Sequence, residues 1–193
     1  MAKHRDEVSY YPEIQDYISE QIKSNFRAAR HRDLEVFWGI GEMKKNLQRM
    51  INQYPETCNC ISNFARRVPP LNLDIFAVIT DRMSFRILIL EVKLMKAAGL
   101  KEWSQLVGYC LVSGARYGLL INIDNGTSPR LSQILTSEKH MSRIQTIEGD
   151  GIIEHDLGFM QWNSITRDFE YSNMGCVKSL SALSSSIIDE FDS

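Results

Sequence analysis

Apolar residues recur at helical spacing in the first part of the chain. From Pro12 to about Phe26 their period is close to that of an α-helix, and Pro12 suits a first helical turn. A second helical pattern covers 33–51, where two glycines weaken or bend the predicted helix. The segment 53–70 holds three prolines and two cysteines without a clear period, so we expect a long connection there.

Two dense apolar runs, 73–80 and 85–94, predict the centre of the fold. They flank the turn-like segment 81–84, which is typical of a β-hairpin. Both faces of both strands are apolar, so we expect the hairpin to lie inside a sheet that is covered on each side, as in α/β proteins. A helix at 100–115 and a strand at 117–124 continue the same pattern.

The last third of the chain predicts a helix followed by short strands. Ser128 and Pro129 supply a cap and a first-turn residue, and we expect this helix to run to about Ile144. A turn is predicted at 148–151 and short strands within 152–172. The serine-rich end predicts a weak helix or a tail.

The chain length fits one domain. We divide the 193 residues into an N-terminal helical region (1–68), a core (69–124), and a C-terminal section with a helix and short strands (125–193). An apolar fraction of 44% and a charged fraction of 24% exclude a disordered or fibrous chain.

The charge pattern limits the possible partners. A net charge of −2 lacks global basicity, so any contact with nucleic acid must be local. Residues 1–30 contain no long apolar run, so we expect neither a signal peptide nor a membrane span, and a cytoplasmic location. The four cysteines lack paired C-x-x-C spacing, and the four histidines show no ligand spacing, which favours reduced structural thiols over a zinc site.

The triplet Glu-x-Lys occurs twice. Glu91 and Lys93 flank one residue, and so do Glu42 and Lys44. One such triplet is expected by chance in a chain of this length. The pair at Glu42 lies in a predicted helix, where positions i and i+2 do not share a face. Only Glu91 and Lys93 lie in a predicted strand, where they point the same way.

The hairpin register brings a second carboxylate to this pair. A turn centred between Arg82 and Met83 places Asp74 directly opposite Glu91, with Cβ atoms about 5 Å apart. Two carboxylates so close repel each other unless a cation compensates them, and Mg²⁺, with Mn²⁺ as a substitute, suits hard oxygen ligands. The alternative is that both acids mark strand ends and Lys93 is simply their salt-bridge partner.

This arrangement resembles the PD-(D/E)XK nuclease superfamily, whose pattern is an acidic residue at a strand start, a hairpin, and (Asp/Glu)-x-Lys on the next strand. One departure is that Leu73, and not proline, precedes Asp74. Gln105 and Tyr109 are similar to the QxxxY element of the RecB-like branch. Together the matches cover 69–124.

The resemblance implies an α/β fold with a restriction-endonuclease-like core, a mixed central β-sheet flanked by helices on both faces. It also implies Mg²⁺-dependent hydrolysis of DNA by Asp74, Glu91, Lys93 and Gln105, with the first two as metal ligands. We expect a type II restriction-type endonuclease acting as a homodimer on double-stranded DNA. A RecB-like exonuclease and a junction resolvase share this chemistry, and a catalytically silent DNA-binding module is the non-enzymatic alternative.

Two further sets of residues belong to this hypothesis. Family members often place another acid on an N-terminal helix, and the candidates, of which the first two are favoured, are Glu13, Glu20, Glu35 and Glu42. The residues with side chains suited to contact DNA phosphates are Arg27, Arg30, Arg32, Arg66, Arg67, Lys96, Lys101 and Tyr109.

Overall fold

A seven-stranded mixed sheet forms the centre of the molecule in the computed structural model, which describes residues 5–30, 33–148, 151–170 and 172–191. The strands are β1 (Glu35–Glu42), β2 (Asn72–Thr80), β3 (Phe85–Lys93), β4 (Tyr117–Ile123), β5 (Arg143–Glu148), β6 (Gly151–Asn163) and β7 (Asp168–Glu170). The helices are α1 (Tyr11–Arg30), α2 (Met43–Gln53), α3 (Pro55–Cys58), α4 (Ser62–Arg67), α5 (Leu100–Ser113), α6 (Pro129–Ser137) and α7 (Leu180–Phe191).

The strand directions bring several strand ends to one edge of the sheet. The strand order is β1-β2-β3-β4-β6-β5, and β7 pairs with β6. β1, β2 and β3 are antiparallel, whereas β3, β4 and β6 are parallel. The amino end of β2 therefore lies at the same edge as the carboxyl ends of β3, β4 and β6. We call this the carboxyl edge and define it by Asn72, Lys93, Ile123 and Asn163.

Helices cover both faces of the sheet. The α1 face carries α1 and α7, whose buried residues on it include Ile14, Ile18, Ile22, Leu183 and Ile187. The α5 face carries α2, α5 and α6, whose buried residues on it include Met43, Leu47, Trp103, Leu106 and Leu131. The expected α/β class with a mixed sheet and helices on both faces is confirmed.

The β2–β3 hairpin has the predicted register. Ile75 pairs with Leu90, and Thr80 pairs with Phe85 at the turn. Arg82 has a positive φ of 79° in this turn. Both strands lie inside the sheet and are almost wholly buried, as their two-sided apolar pattern predicts.

The helix predicted over 33–51 is wrong in its first half. Residues Glu35–Glu42 form β1, and only then does α2 begin. Val36, Phe37 and Trp38 are β-branched or aromatic, and pairing with β2 outweighs their periodicity. The register shifts between Gly39 and Gly41, so the glycines that weakened the helical pattern mark a bulge in a strand.

Two other boundaries also differ from the predictions. The segment 53–70 contains α3, a short 3-10 helix and α4, so it is not an irregular connection. The helix predicted to reach Ile144 ends at Ser137, and Arg143–Glu148 pairs with β6 as a hairpin. Residues 149 and 150 of the predicted turn lie outside the described residues.

The C-terminal section contains longer elements than expected. β6 runs for 13 residues instead of forming several short strands. The serine-rich end forms α7, which packs against α1. None of the helices in the described ranges has the length and apolar character needed to cross a membrane.

Candidate active site

Asp74, Glu91 and Lys93 meet at the carboxyl edge. Lys93 Nζ lies 2.8 Å from Asp74 Oδ2 and 2.6 Å from Glu91 Oε1. Asp74 Oδ2 also accepts a hydrogen bond of 3.2 Å from the backbone N–H of Val92, which fixes it against β3. The hairpin register and the strand alternation thus bring together the three residues singled out from the sequence.

The site faces the α5 side of the sheet. Leu88, Leu90 and Val92 belong to the core on the α1 face, whereas Ile87 and Ile89 belong to the core on the α5 face. Alternation along β3 therefore directs Glu91 and Lys93 toward the α5 face. There the end of the apolar core gives way to solvent, since the Lys93 side chain is 20% exposed.

Glu91 is a buried carboxylate with unmet hydrogen-bonding capacity. It is 0% exposed, and neither of its oxygens has a hydrogen-bond partner within the described ranges. The contact with Lys93 is therefore an ion pair and not an aligned hydrogen bond. Burial raises the pKa of Glu91 to about 7, a shift that Lys93 opposes and Asp74 reinforces.

Lys93 remains a cation in this environment. Burial by itself lowers the pKa of Lys93, but its contacts with Asp74 and Glu91 outweigh burial and hold the pKa well above its ordinary range. A lysine with a raised pKa is a stable positive charge and a poor proton acceptor near neutral pH.

A third carboxylate reaches the site from the N-terminal segment. Glu7 Oε1 lies 4.0 Å from Lys93 Nζ, and Glu7 Oε2 accepts a hydrogen bond of 3.2 Å from the backbone N–H of Leu94. The buried Tyr11 donates a hydrogen bond of 3.1 Å to Glu7 Oε1. Burial and the nearby carboxylates raise the pKa of Tyr11, so its hydroxyl remains a donor.

Glu7 was missed in the sequence, and the four predicted acids lie elsewhere. Glu13 pairs with Arg5 at 2.9 Å, Glu35 with Arg82 at 3.0 Å and Glu42 with Lys45 at 2.5 Å. Glu20 is exposed on α1. No ion pair or hydrogen bond between described residues joins any of the four to Lys93. The available signal for Glu7 was its i, i+4 spacing from Tyr11 just ahead of α1.

A buried asparagine holds the loop after Lys93 and was also missed. Asn122 pairs with Lys93 across β3 and β4 and is 0% exposed. Its side chain accepts a hydrogen bond from Met95 N and donates to Met95 O and Gly126 O, at 3.2, 3.0 and 2.9 Å. Asn122 therefore fastens the loops after β3 and β4 to each other beside the site.

Gln105 and Tyr109, the two residues that are similar to the QxxxY element, lie on α5 and are hydrogen-bonded to each other. Gln105 Nε2 donates a hydrogen bond of 3.1 Å to Tyr109 Oη. Tyr109 packs against the core on the α5 face. Within the described ranges, no hydrogen bond or ion pair joins either side chain to Asp74, Glu91 or Lys93. A role for Gln105 in catalysis and for Tyr109 in DNA binding remains a prediction.

The basic residues divide into two groups. Lys96 and Lys101 are exposed on the loop after β3 and on the first turn of α5, close in sequence to the site. Arg27 and Arg30 lie in the last turn of α1, and Arg27 is about 24 Å along the helix from Tyr11. A role for Arg27 and Arg30 in binding the DNA backbone remains a prediction.

Several of the predicted basic residues have contacts with neighbouring side chains or line a groove. Arg27 pairs with Asp33 at 2.9 Å. Arg66 donates a hydrogen bond of 2.6 Å to Asn63, and Arg67 lines a groove beside the C-terminal end of α5. Arg32 lies outside the described residues.

The described cysteines and histidines have structural contacts and are not grouped around a metal position. The four cysteines, all within the described ranges, form no disulfide. The buried His155 contacts Ala115 O and Thr146 Oγ1 at 2.7 and 2.9 Å, which makes it a satisfied core residue. In the described part of the chain, no group of three or more His, Cys, Asp or Glu side chains is arranged to hold a metal ion.

Comparisons of the chain with family models, with curated proteins and with solved structures give no match. The functional assignment therefore depends on the geometry at the carboxyl edge and on the resemblance in the motifs.

Proposed function

We propose that this chain is a metal-dependent nuclease of the PD-(D/E)XK class that hydrolyses phosphodiester bonds in DNA. The observation that carries the proposal is the buried Glu91, whose two oxygens lack hydrogen-bond partners among the described residues and lie beside Asp74 and Lys93. Burying an ionised carboxylate without hydrogen bonds is costly, so this position suits a cation ligand. A restriction-endonuclease-like core, as the finer description of the sheet, belongs to the same proposal.

The two carboxylates fit a Mg²⁺ site of low protein-ligand number. Mg²⁺ prefers oxygen ligands and keeps several waters, so one or two carboxylates plus a substrate phosphate are sufficient. A site with fewer than three acidic ligands is also compatible with the lack of a larger ligand cluster among the described residues. When bound, the metal would lower the pKa of a water and neutralise phosphate charge.

The roles of the protein groups follow from their charges. Asp74 and Glu91 would hold the metal through their carboxylate oxygens. Lys93, as a stable cation, would donate hydrogen bonds to the attacking water or to a phosphate oxygen and stabilise the negative charge of the transition state. Lys96 and Lys101 provide a local basic surface for the DNA backbone.

A type II restriction-type endonuclease acting as a homodimer on double-stranded DNA is the specific form that we favour. The segments before and after 69–124 supply chain for recognition and dimer contacts. The products separate the related activities: discrete fragments indicate site-specific cutting, loss from ends indicates a RecB-like exonuclease, and cutting of four-way substrates alone indicates a resolvase.

The central test is cleavage of supercoiled plasmid and a mixed plasmid library with Mg²⁺ or Mn²⁺. We expect Lys93→Ala to reduce the cleavage rate by roughly 100- to 1,000-fold while DNA binding is retained, because Lys93 acts on the transition state. Lys44→Ala is the matched control, since Lys44 belongs to the other Glu-x-Lys triplet and its ammonium group donates to Arg66 O at 3.4 Å. Cleavage by Lys93→Ala at the wild-type rate would contradict the proposal that Lys93 stabilises the transition state.

A silent DNA-binding module is the competing function. It is favoured by the fact that Lys93 already neutralises part of the charge of Asp74 and Glu91 without a metal. In that case Asp74→Asn would change stability alone, and no DNA or RNA substrate would be cut with Mg²⁺ or Mn²⁺.

A further inference from the structure

The Lys93 ammonium group lies among three carboxylates at unequal distances. Nζ is 2.6 Å from Glu91 Oε1 and 2.8 Å from Asp74 Oδ2, but 4.0 Å from Glu7 Oε1. Two of the carboxylates are therefore in direct contact with the ammonium group, and the third lies just beyond hydrogen-bond distance. Nζ contacts one oxygen of each of the two acids, which is where a cation bridging them would lie.

Glu7 is held in place independently of Lys93. Its Oε1 accepts the Tyr11 hydroxyl at 3.1 Å, and its Oε2 accepts the Leu94 N–H at 3.2 Å. A displacement of Nζ by about 1 Å toward Oε1 would bring it within hydrogen-bond distance. Glu7 is thus positioned to accept a hydrogen bond from the ammonium group if Nζ moves away from Asp74 and Glu91.

The charges favour two alternative positions for Lys93. With Glu7, Asp74 and Glu91 ionised, Lys93 leaves an excess of two negative charges, which one divalent cation balances. A divalent cation on the same carboxylate oxygens as Nζ would be repelled by the ammonium at short range. Both cations can stay in the cluster if Lys93 pairs with Glu7 instead.

We propose that Lys93 is the resident counter-ion of Asp74 and Glu91, and that a divalent cation binds there by displacing the ammonium group onto Glu7. This inference rests on the metal-binding part of the proposed function. It gives Glu7 the role of a positioning residue, which acts through Lys93 and not as a metal ligand.

Mn²⁺ binding, read from the electron paramagnetic resonance signal of free Mn²⁺ at pH 8, tests the exchange without any measurement of cleavage. We expect Lys93→Met to bind Mn²⁺ roughly tenfold more tightly than wild type, because no ammonium has to be displaced. Glu7→Gln should bind Mn²⁺ about threefold or more weakly, because the displaced ammonium loses its partner.

The double variant Lys93→Met/Glu7→Gln is decisive. Without Lys93, the effect of Glu7→Gln on Mn²⁺ affinity should fall to less than about twofold, since contacting residues couple and independent ones do not. Glu13→Gln is the control, because Glu13 pairs with Arg5, and we expect it to leave the affinity unchanged. An equal effect of Glu7→Gln in both backgrounds would overturn the exchange, as would unchanged or weaker binding by Lys93→Met or no Mn²⁺ binding at all.

Lys93→Met leaves two carboxylates without their cation, which can prevent folding. If this variant is unfolded without metal, the exchange predicts that Mn²⁺ restores its circular dichroism spectrum and thermal transition, because a ligand of the folded state stabilises it. Failure of Mn²⁺ to restore the fold contradicts the inference.

The outcomes also separate this inference from the proposed nuclease function. Mn²⁺ binding with the expected pattern, in a protein that leaves every nucleic acid intact, supports the exchange and contradicts the nuclease. DNA cleavage that requires Lys93, together with a Mn²⁺ affinity that Lys93→Met does not raise, contradicts the exchange alone.

Discussion

At the scale of single residues, Glu91 combines features that a structural carboxylate avoids. It is fully buried, its oxygens lack hydrogen-bond partners in the described part of the chain, and its one close cation is shared with Asp74. Residues of this kind usually lower the stability of the folded chain and are kept for function. The destabilising effect of Glu91 on the free energy of unfolding should therefore be measurable in the absence of metal.

Glu91→Gln should stabilise the metal-free protein at high pH. The folded-state pKa of about 7 lies above the ordinary 4.5, so ionisation of Glu91 disfavours folding. This cost is absent below about pH 4.5, grows between pH 4.5 and 7, and is complete above pH 7. The free energy of unfolding of Glu91→Gln relative to wild type should then rise by up to about 3 kcal/mol from pH 5 to pH 8.

Urea unfolding of both proteins in EDTA at pH 5 and pH 8 measures this difference. A relative stability that stays constant across this pH range would mean that Glu91 ionises in the folded state as easily as in the unfolded chain.

At the scale of elements, β1 depends on one close packing contact. A Cβ atom on Gly39 would lie 2.3 Å from the ring of the fully buried Phe76 on β2. The Phe76 ring can lie against β1 here only because position 39 has no side chain. β1 leads into α2 at the same edge of the sheet as Asp74, so this contact helps to set the surroundings of the site.

Gly39→Ala should lower the free energy of unfolding by about 1–3 kcal/mol, because the buried Phe76 ring must move. Gly108→Ala is the matched control: a methyl group at this position on α5 would have no neighbouring atom within 4 Å, so we expect a gain of roughly 0.5–1 kcal/mol from helix propensity. Thermal and urea unfolding check both values. A stability of Gly39→Ala equal to that of wild type would show that β1 can move away from β2 at no cost.

At the scale of the whole molecule, the last helix is joined to the centre of the sheet by a partly buried ion-pair cluster. Arg86 on β3 contacts the carboxylate of Glu190 and donates a hydrogen bond of 2.6 Å to Glu190 O, while Arg116 lies 3.0 Å from Glu190 Oε1. Arg86 also lies over the ring of Phe191. These contacts fix α7 and, through it, the core on the α1 face.

Arg86→Ala should lower the free energy of unfolding by about 2 kcal/mol, because the partly buried Glu190 loses its contacts with Arg86 and α7 loses this attachment to β3. Arg82→Ala removes a pair with Glu35 whose side chains are 66% and 36% exposed, so we expect a change of less than about 1 kcal/mol. Urea unfolding monitored by far-UV circular dichroism compares the two variants. Equal effects would mean that the Glu190 cluster is no stronger than a surface pair.

The sequence by itself determined the features that depend on local patterns. The two-sided apolar runs of β2 and β3 required a covered sheet, and the four-residue turn between them set the register that aligns Asp74 with Glu91. Strand alternation then put Lys93 on the same face. The α/β class and the convergence of these three side chains could be predicted because periodicity and turn length act over a few residues.

Only the tertiary structure decided the features that depend on distant partners. The segment of β1 has helical periodicity, and pairing with β2 makes it a strand. Glu7 reaches Lys93 because the segment ahead of α1 lies against the end of β3, where Glu7 accepts a hydrogen bond from Leu94 N–H, a contact between residues far apart in the chain. Such contacts produce no periodic pattern in the sequence. The prediction therefore favoured Glu13 and Glu20, which lie on a helix with clear apolar periodicity, over Glu7.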